Sequence, residues 1–478
     1  VQCLFCTEAA APCVRGMAGD SQPELNEAYA RAIRDIFFNA DYSGSATRYQ
    51  NPQECWDRFE RMLEQLGRPG SQLKLIHVAG TNGKGTTSAL CERMLRECGV
   101  RVGLFTSPHL HVFRERIRID GELVSREAVV GGMARVTAAS HAVGGASPFE
   151  KLTALALVCF EDSGVEWAVL ETGLGGKWDA TNHFRPAVCG ICKIGLDHMN
   201  VLGDTLGQIA GEKAGIIKTG IPAFSVKQEP EACAVLHAVA TSVGAELRVG
   251  ELEPVSNLPV WLQPAHQAEN AALASSLVRS LAERGLKQYD ADACGRALIA
   301  ARWPARFEVV EPSSLKGRRL LLDVAHNQPA IRALVSSVLS TYPAATFSVI
   351  LGANKDKDLT AILQEMGELG QRLLGFVAIA SSHPKSTPAV KVAELGRSCA
   401  SACDLQTTWL VAESMLHALE LATSLFASGQ AYSNELVLCC GSVFVAAEMR
   451  EALARAEPAL FAASDWVFQD SEPPLVMG

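Results

Sequence analysis

Short, almost wholly apolar runs alternate with longer segments in which apolar residues recur every three or four positions. The runs are Leu73–Ala79, Arg101–Phe105, Trp167–Leu170, Ala187–Ile194 and Ile221–Val226, then Arg319–Asp323, Thr346–Leu351, Gly375–Ala380 and Glu435–Cys440. Their length and two-sided apolarity predict strands of a buried parallel sheet. The intervening periodicity predicts helices at Thr87–Cys98, Ser125–Ala139, Phe149–Phe160, Thr205–Ile217 and Pro230–Val243, then after Pro264 and up to Ala301. Further helices run through Leu339, between Leu351 and Gly375, near 388–400 and 413–427, and after Gly441. Residues 23–66 predict two helices. The second carries the stripe Trp56, Phe59, Met62, Leu63 and Leu66 and stops at Arg68-Pro69-Gly70.

Strand and helix alternate twice, so both halves are expected to be parallel α/β units. The break is Arg302-Trp303-Pro304-Ala305-Arg306, where Pro304 stops a helix and strand-rich sequence resumes at Phe307. The expected domains are a disordered segment 1–22, a nucleotide-binding domain 23–301, a linker 302–306 and a smaller Rossmann-like domain 307–478. The tail after Glu457 is expected to dock loosely.

The 478 residues suffice for two or three cored domains. Net charge is −9, which points to neither a nucleic-acid nor an anionic-membrane partner, and no apolar run is long enough to span a bilayer. Fifteen cysteines are scattered, mostly in apolar runs such as Val437–Cys440. That usage suits small buried hydrophobes in a reducing compartment. Cys3 and Cys6 lack a second ligand pair for zinc, and Cys189 and Cys192 read as core. Residues 1–20 lack the basic face of a targeting peptide, and Met17 is a candidate start.

The strand Leu73–Ala79 runs into Gly80-Thr81-Asn82-Gly83-Lys84-Gly85-Thr86 and then a helix. A glycine loop at a helix N-terminus points N–H groups and the helix dipole at an anion. Lys84 adds charge for terminal phosphates, and the Thr86 hydroxyl is placed for Mg²⁺. The spacing departs from the commonest phosphate-loop pattern, because Gly85 separates Lys84 from Thr86. Glu171 follows a strand where open α/β sheets bind ligands, which suits Mg²⁺ coordination. A second glycine loop, Thr172–Gly176, comes after it. His198 lies at a strand end, as a metal ligand or a structural histidine. Lys213 by its position alone reads as a surface residue. Arg114, Arg116 and Arg118 read equally as a solvated face or as a carboxylate- or phosphate-binding cluster. These features make an ATP-binding α/β domain with a Mg²⁺ site in a cleft against a second α/β domain.

The ordered motifs His77–Thr86, Thr106–Leu110, Arg114–Ile119, Glu171–Asn182, Asp197-His198, Glu212–Ile216, His266–Ala271, Arg302–Phe307, Asp323–Asn327 and Asp356–Asp358 resemble the folylpolyglutamate synthase and dihydrofolate synthase family of the Mur-ligase superfamily. The resemblance spans Tyr49 to Met449 and matches the phosphate-loop spacing. It implies an ATP-dependent ligase that joins L-glutamate to a folate or dihydropteroate carboxylate through an acyl phosphate.

The resemblance also implies residue roles. Gly80, Thr81, Asn82, Gly83, Lys84, Gly85, Thr86 and Thr87 hold ATP, with Asn270, Arg306, Asp323 and His326. Thr86 and Glu171 bind one Mg²⁺ and His198 a second, supported by a carbamylated Lys213, which replaces the surface reading. Lys84, Lys213, Asp323 and His326 are the catalytic candidates. Ser107, Pro108, Arg114, Arg116, Phe149 and Thr153 fall near the pteroate site. Small-molecule substrates, a monomer and a cytoplasmic or mitochondrial location are expected. The alternatives are another Mur-type ligase, against which only 72 residues precede the first strand, and a nucleotide-dependent switch, which needs no groups from a second domain. The choice between dihydrofolate synthase, folylpolyglutamate synthase and both stays open, although Asp323–Asn327 resembles the bacterial bifunctional type.

Overall fold

The computed structural model describes residues 22–37, 51–402, 407–426, 434–462 and 465. Cys3, Cys6 and the segment before Gln22 lie outside them. Eight strands form the first sheet: β1 (Lys74–Ala79), β2 (Val102–Phe105), β3 (Ile117–Ile119), β4 (Glu122–Leu123), β5 (Trp167–Glu171), β6 (Val188–Ile191), β7 (Ala223–Ser225) and β8 (Leu247–Val249). Their order is β4-β3-β2-β5-β1-β6-β7-β8, with β3 alone running antiparallel to the rest. The second sheet contains β9 (Glu308–Val310), β10 (Arg319–Leu322), β11 (Thr346–Leu351), β12 (Leu373–Ala378), β13 (Thr408–Val411) and β14 (Glu435–Cys440). It is ordered β13-β12-β11-β14-β10-β9 and is parallel except for β9.

Each sheet has an apolar core on both faces. One side of the first sheet holds Phe59, Phe105, Phe113 and Phe160, and the other Leu90, Met94, Trp167 and Leu277. The helix Pro148–Asp162 shows the logic. Ser147 caps it, Pro148 sits where a missing N–H costs nothing, and Glu150 completes the capping box. Every residue from Glu150 to Phe160 is buried, as expected of a helix apolar on all sides. The Glu150 carboxylate is answered by Arg58 at 2.9 Å.

Some expected boundaries move. The run to Ile194 is strand only to Ile191, and the Ile221–Val226 strand shortens to Ala223–Ser225. Apolar residues continue past both strands because the following loops are also buried. The helix expected over 413–427 is Met415–Ser424, capped by Ser414. The phosphate-loop helix begins at Lys84, since the glycines themselves make its first turn. Strands β3, β4, β8 and β13 carry too short or too mixed a pattern to predict. The chain past Glu457 is not loose where described, because Phe461 and Asp465 are buried against Arg450. All eleven described cysteines are free, and Cys189 and Cys192 are buried as expected.

On β2, a Cβ at Gly103 would stand 2.6 Å from two ring atoms of Phe160. A packed ring cannot yield cheaply, so Gly103→Ala is expected to cost about 1–3 kcal/mol. The measurement is the urea midpoint of the transition reported by the first domain's tryptophans. An unchanged midpoint would show that Phe160 can move aside.

Candidate active site

The phosphate loop is a backbone device. Gly80 (φ +149°) and Gly83 (φ +93°) occupy conformations that L side chains rarely adopt. Contacts close both positions. A Cβ on Gly80 would lie 2.6 Å from Cys192 Cβ, and one on Gly83 would lie 2.2 Å from Asn270 Oδ1. Gly83 caps the helix Lys84–Glu97 without a side-chain bond, which leaves the first-turn N–H groups to a ligand. Lys84 Nζ donates to the Thr81 carbonyl at 3.2 Å and lies 3.9 Å from Glu171. Thr86 and Thr87 are buried in the first turn, and Thr87 Oγ1 lies 3.3 Å from Cys192 Sγ.

Glu171 ends β5 beside this loop. It is buried, and its Oε2 accepts the Ser107 N–H at 3.1 Å. Burial raises its pKa against the pull of Lys84. The second glycine loop is held by Asp179, which accepts N–H groups from Gly173, Leu174 and Thr181. Lys213 is not on the surface. Its helix turns it inward, where Nζ donates to the Gly80 carbonyl at 2.9 Å. Burial, reinforced by Lys84, pulls its amine down to about 7.

The second domain supplies the opposite wall. Asp323 accepts the N–H groups of Phe307 and Ala325, both at 2.8 Å, and so fixes the loop after β10. His326 Nδ1 lies 2.8 Å from the Val324 carbonyl. That contact assigns the ring proton to Nδ1 and leaves a lone pair on Nε2. Burial lowers the pKa of His326, and likewise that of Arg306. Asn327 pairs its amide with that of Asn82 and donates to Asp197 at 2.8 Å. Lys357 donates to the same carboxylate at 2.8 Å. His198 follows Asp197, exposed, in a left-handed backbone conformation, with Nε2 4.0 Å from Asp197.

Two cavities meet here. One of about 640 Å³ runs along the phosphate loop and is lined by Glu171, Asn270, Arg306 and Asp323 among others. The second, of about 460 Å³, is lined by Arg116, Phe149, Leu174, Asp179, His198 and Lys213 among others. Thr81, Lys84, Ser107, Pro108 and His326 line both. Of the substrate candidates, Ser107, Pro108, Arg116 and Phe149 face the second cavity. Arg114 and Thr153 do not line it. Arg114 donates to the Val124 carbonyl, and Thr153 is buried with its hydroxyl on the Phe149 carbonyl. Sequence reasoning gave Asp197 and Lys357 no role beyond membership of the Asp197-His198 and Asp356–Asp358 motifs. Lys357 was visible only as one lysine within Lys355–Asp358, and pairing across 160 positions has no local signature.

The second domain matches the model of the Mur ligase, glutamate ligase domain over residues 305–443. The dihydrofolate synthase/folylpolyglutamate synthase of Bacillus subtilis (strain 168) is 34% identical over 337 residues, 65% of this chain and 77% of that protein. The chain belongs to the folylpolyglutamate synthase/dihydrofolate synthase family. The structure of E. coli FolC in complex with DHPP and ADP is similar with a TM-score of 0.74 and 26% identity, covering 90% of this chain and 98% of that one. The Yersinia pestis bifunctional folylpolyglutamate synthase/dihydrofolate synthase complexed with AMPPNP and a Mn ion gives a TM-score of 0.72 and 27% identity, with the same coverage. As a folylpolyglutamate synthase/dihydrofolate synthase relative, the protein is an ATP-dependent ligase of glutamate onto folate, and neither alternative reading is favoured.

Because Gly83 has both a positive φ and a closed contact, Gly83→Ala must displace Asn270 or reshape the loop. Nucleotide affinity is expected to fall by more than about tenfold, read by titrating ADP calorimetrically. Affinity within about twofold of the original would mean that the loop tolerates a side chain.

Proposed function

We propose that the larger cavity takes ATP, that the smaller takes the pteroate portion of the folate substrate, and that their shared wall is where chemistry occurs. The observation carrying this is that Lys84 and His326 face both cavities. A terminal phosphoryl group on one side and a carboxylate on the other would meet beside them. Arg116 and the Phe149 ring suit an anionic, aromatic substrate.

In this reading a substrate carboxylate oxygen attacks the γ-phosphorus and ADP departs, leaving an acyl phosphate. The glutamate amine then attacks the acyl carbon, inorganic phosphate leaves, and the amine loses a proton. The first step is needed because oxide is too poor a leaving group for direct amide formation. Lys84, the loop amides and Arg306 offset charge on the transferring phosphoryl group. The neutral Nε2 of His326 is available to take a proton. Closure around the shared wall keeps the acyl phosphate from water.

Mg²⁺ fits the residues present. The Thr86 hydroxyl and Glu171 carboxylate are hard oxygen donors, and Glu171 Oε2 reaches within 3.6 Å of where a Gly85 side chain would begin. Bound there, Mg²⁺ supplies charge neutralisation at the transferring phosphoryl group. His198 is the candidate for a second ion. Lys213 suits carbamylation, because an amine at about 7 is half neutral at physiological pH and only the neutral form adds carbon dioxide. Action as a monomer is part of the same reading. Among the described residues no helix is long and apolar enough to cross a membrane, and a cytoplasmic or mitochondrial location completes the proposal.

Three measurements test this. Phosphate release from ATP with glutamate is expected with dihydropteroate, with tetrahydrofolate, or with both, and the pattern assigns the activity. No release with either would overturn the proposed substrate. Lys213→Met is expected to lower kcat by about a hundredfold or more, since a charged positioning group acts mainly in the transition state. A ¹³C carbamate resonance in the unaltered enzyme should disappear in the variant and fade as pH falls below about 7. Its absence in the unaltered enzyme would leave Lys213 as a free amine bracing Gly80.

A further inference from the structure

The loop from Ser107 to Arg116 connects three places. Its first residue donates to Glu171, and its last lines the smaller cavity. Its middle crosses to the second domain. There Leu110 packs on Ala305, Val324 and Ala446. His111, whose side chain is only 3% exposed, lies between Arg450 and Glu451 of the helix Val443–Ala456. We infer that His111 is a positioning residue, which holds this loop in its cavity-forming shape by docking it on Arg450 and Glu451 of the second domain.

The geometry fixes the direction of each bond. Arginine can only donate, so the imidazole Nε2 that lies 2.6 Å from Arg450 Nη1 is an acceptor. The ring proton is therefore on Nδ1, 3.1 Å from Glu451 Oε1. Arg450 is itself immobile. It is fully buried, makes two bonds to Glu308 at 2.8 and 3.0 Å and one to Asp465 at 3.0 Å, and covers the Phe461 ring. A neutral histidine is thus fastened to a guanidinium that belongs wholly to the other domain.

Inside the loop, Glu115 accepts the N–H groups of Leu110, His111 and Val112 at 2.7–2.9 Å. Those bonds set the local turn. They do not set where the turn sits against the rest of the protein, because Glu115 travels with it. Phe113 fixes the turn in the first-domain core against Tyr29 and Phe37, and His111 and Leu110 supply its anchor on the second domain. At the far end Arg116 donates to His109 Nδ1 at 2.8 Å and is held in the cavity wall. A displaced loop would carry Arg116 and Ser107 with it. Pteroate affinity would suffer most, because Arg116 lines only the smaller cavity, and nucleotide affinity less, because Ser107 lines both cavities and holds Glu171 while the Gly80–Thr86 loop keeps its own contacts.

This inference rests on the reading of the smaller cavity as the pteroate site, so the test has one arm that needs no substrate. His111→Leu removes both bonds at nearly constant volume. It is expected to raise KM for the pteroate substrate about tenfold and KM for ATP by no more than about threefold, the smaller effect passing through Ser107. Glutamine can accept from Arg450 and donate to Glu451, so His111→Gln should restore KM to within about threefold. Glu451→Ala, on the helix surface, should raise it by about threefold and guards against misfolding of the buried variant. In the substrate-free enzyme, His111→Leu should speed hydrogen exchange across residues 109–116. Unchanged exchange there overturns the positioning role whatever the cavity binds. Faster exchange without any pteroate-dependent turnover in the unaltered enzyme supports the role and removes the substrate reading. Equal rises in both KM values with a lowered thermal midpoint also overturn it, since they mark general damage.

Discussion

At Gly80 and Gly83 the backbone lies too close to its neighbours for any side chain, since a Cβ would stand 2.6 Å from Cys192 and 2.2 Å from Asn270. Three elements distant in sequence therefore converge on one loop. β6 supports it from below through Cys192, the helix Ala265–Ser280 closes it through Asn270, and the helix Leu206–Ala214 braces it through Lys213 on the Gly80 carbonyl. The loop amides are aimed because these contacts leave the chain no alternative path. Preorganised donors of this kind need no rearrangement when charge arrives. The glycines thus serve packing and chemistry at once, and the two roles cannot be separated by mutation.

Around this loop the charges are unequal. Lys84, Lys213, Arg116 and Arg306 gather beside Glu171, while Asp179 and Asp323 are occupied by backbone N–H groups and Asp197 by Asn327 and Lys357. Burial accordingly lowers the pKa of Lys213, Arg116 and Arg306 and raises that of Glu171. Each shift marks a charge whose own form is disfavoured without a partner. In the proposed reading, a triphosphate and a substrate carboxylate are partners for the three cations, and Mg²⁺ would be the partner for Glu171.

The legible part of the sequence was that governed by local rules. Alternation of apolar runs and helical stripes predicted both sheets, and the glycine loop between strand and helix predicted the anion site. Glu171 was found because strand ends are a positional rule. Lys213 was misread from the residues alone, since nothing near Glu212-Lys213-Ala214 tells that the helix turns it toward Gly80. Strands β3 and β4 were missed because an arginine-rich stretch does not look apolar, yet Arg116 and Arg118 are buried. Arg118 is covered by the Trp303 ring at 4.6 Å, a partner almost two hundred residues away. Side chains whose meaning lies across the fold carry no signal in their own neighbourhood.

Asp197, Asn327, Asn82 and Lys357 show what the second domain contributes beyond a wall. Asn327 caps the helix Gln328–Thr341 with its Oδ1 and spends its amide on Asp197 and Asn82. Lys357, with only 9% of its side chain exposed, completes the carboxylate's partners. These bonds exist only when the domains are together, and the groups making them stand within the same cleft as Lys84 and His326. Breaking one would leave a poorly solvated charge, which costs far more than an exposed pair of the same length. Docking of the two domains and completion of the cleft therefore go together in this structure. In the proposed reading, an enzyme that carries an activated carboxylate past water gains from that coupling.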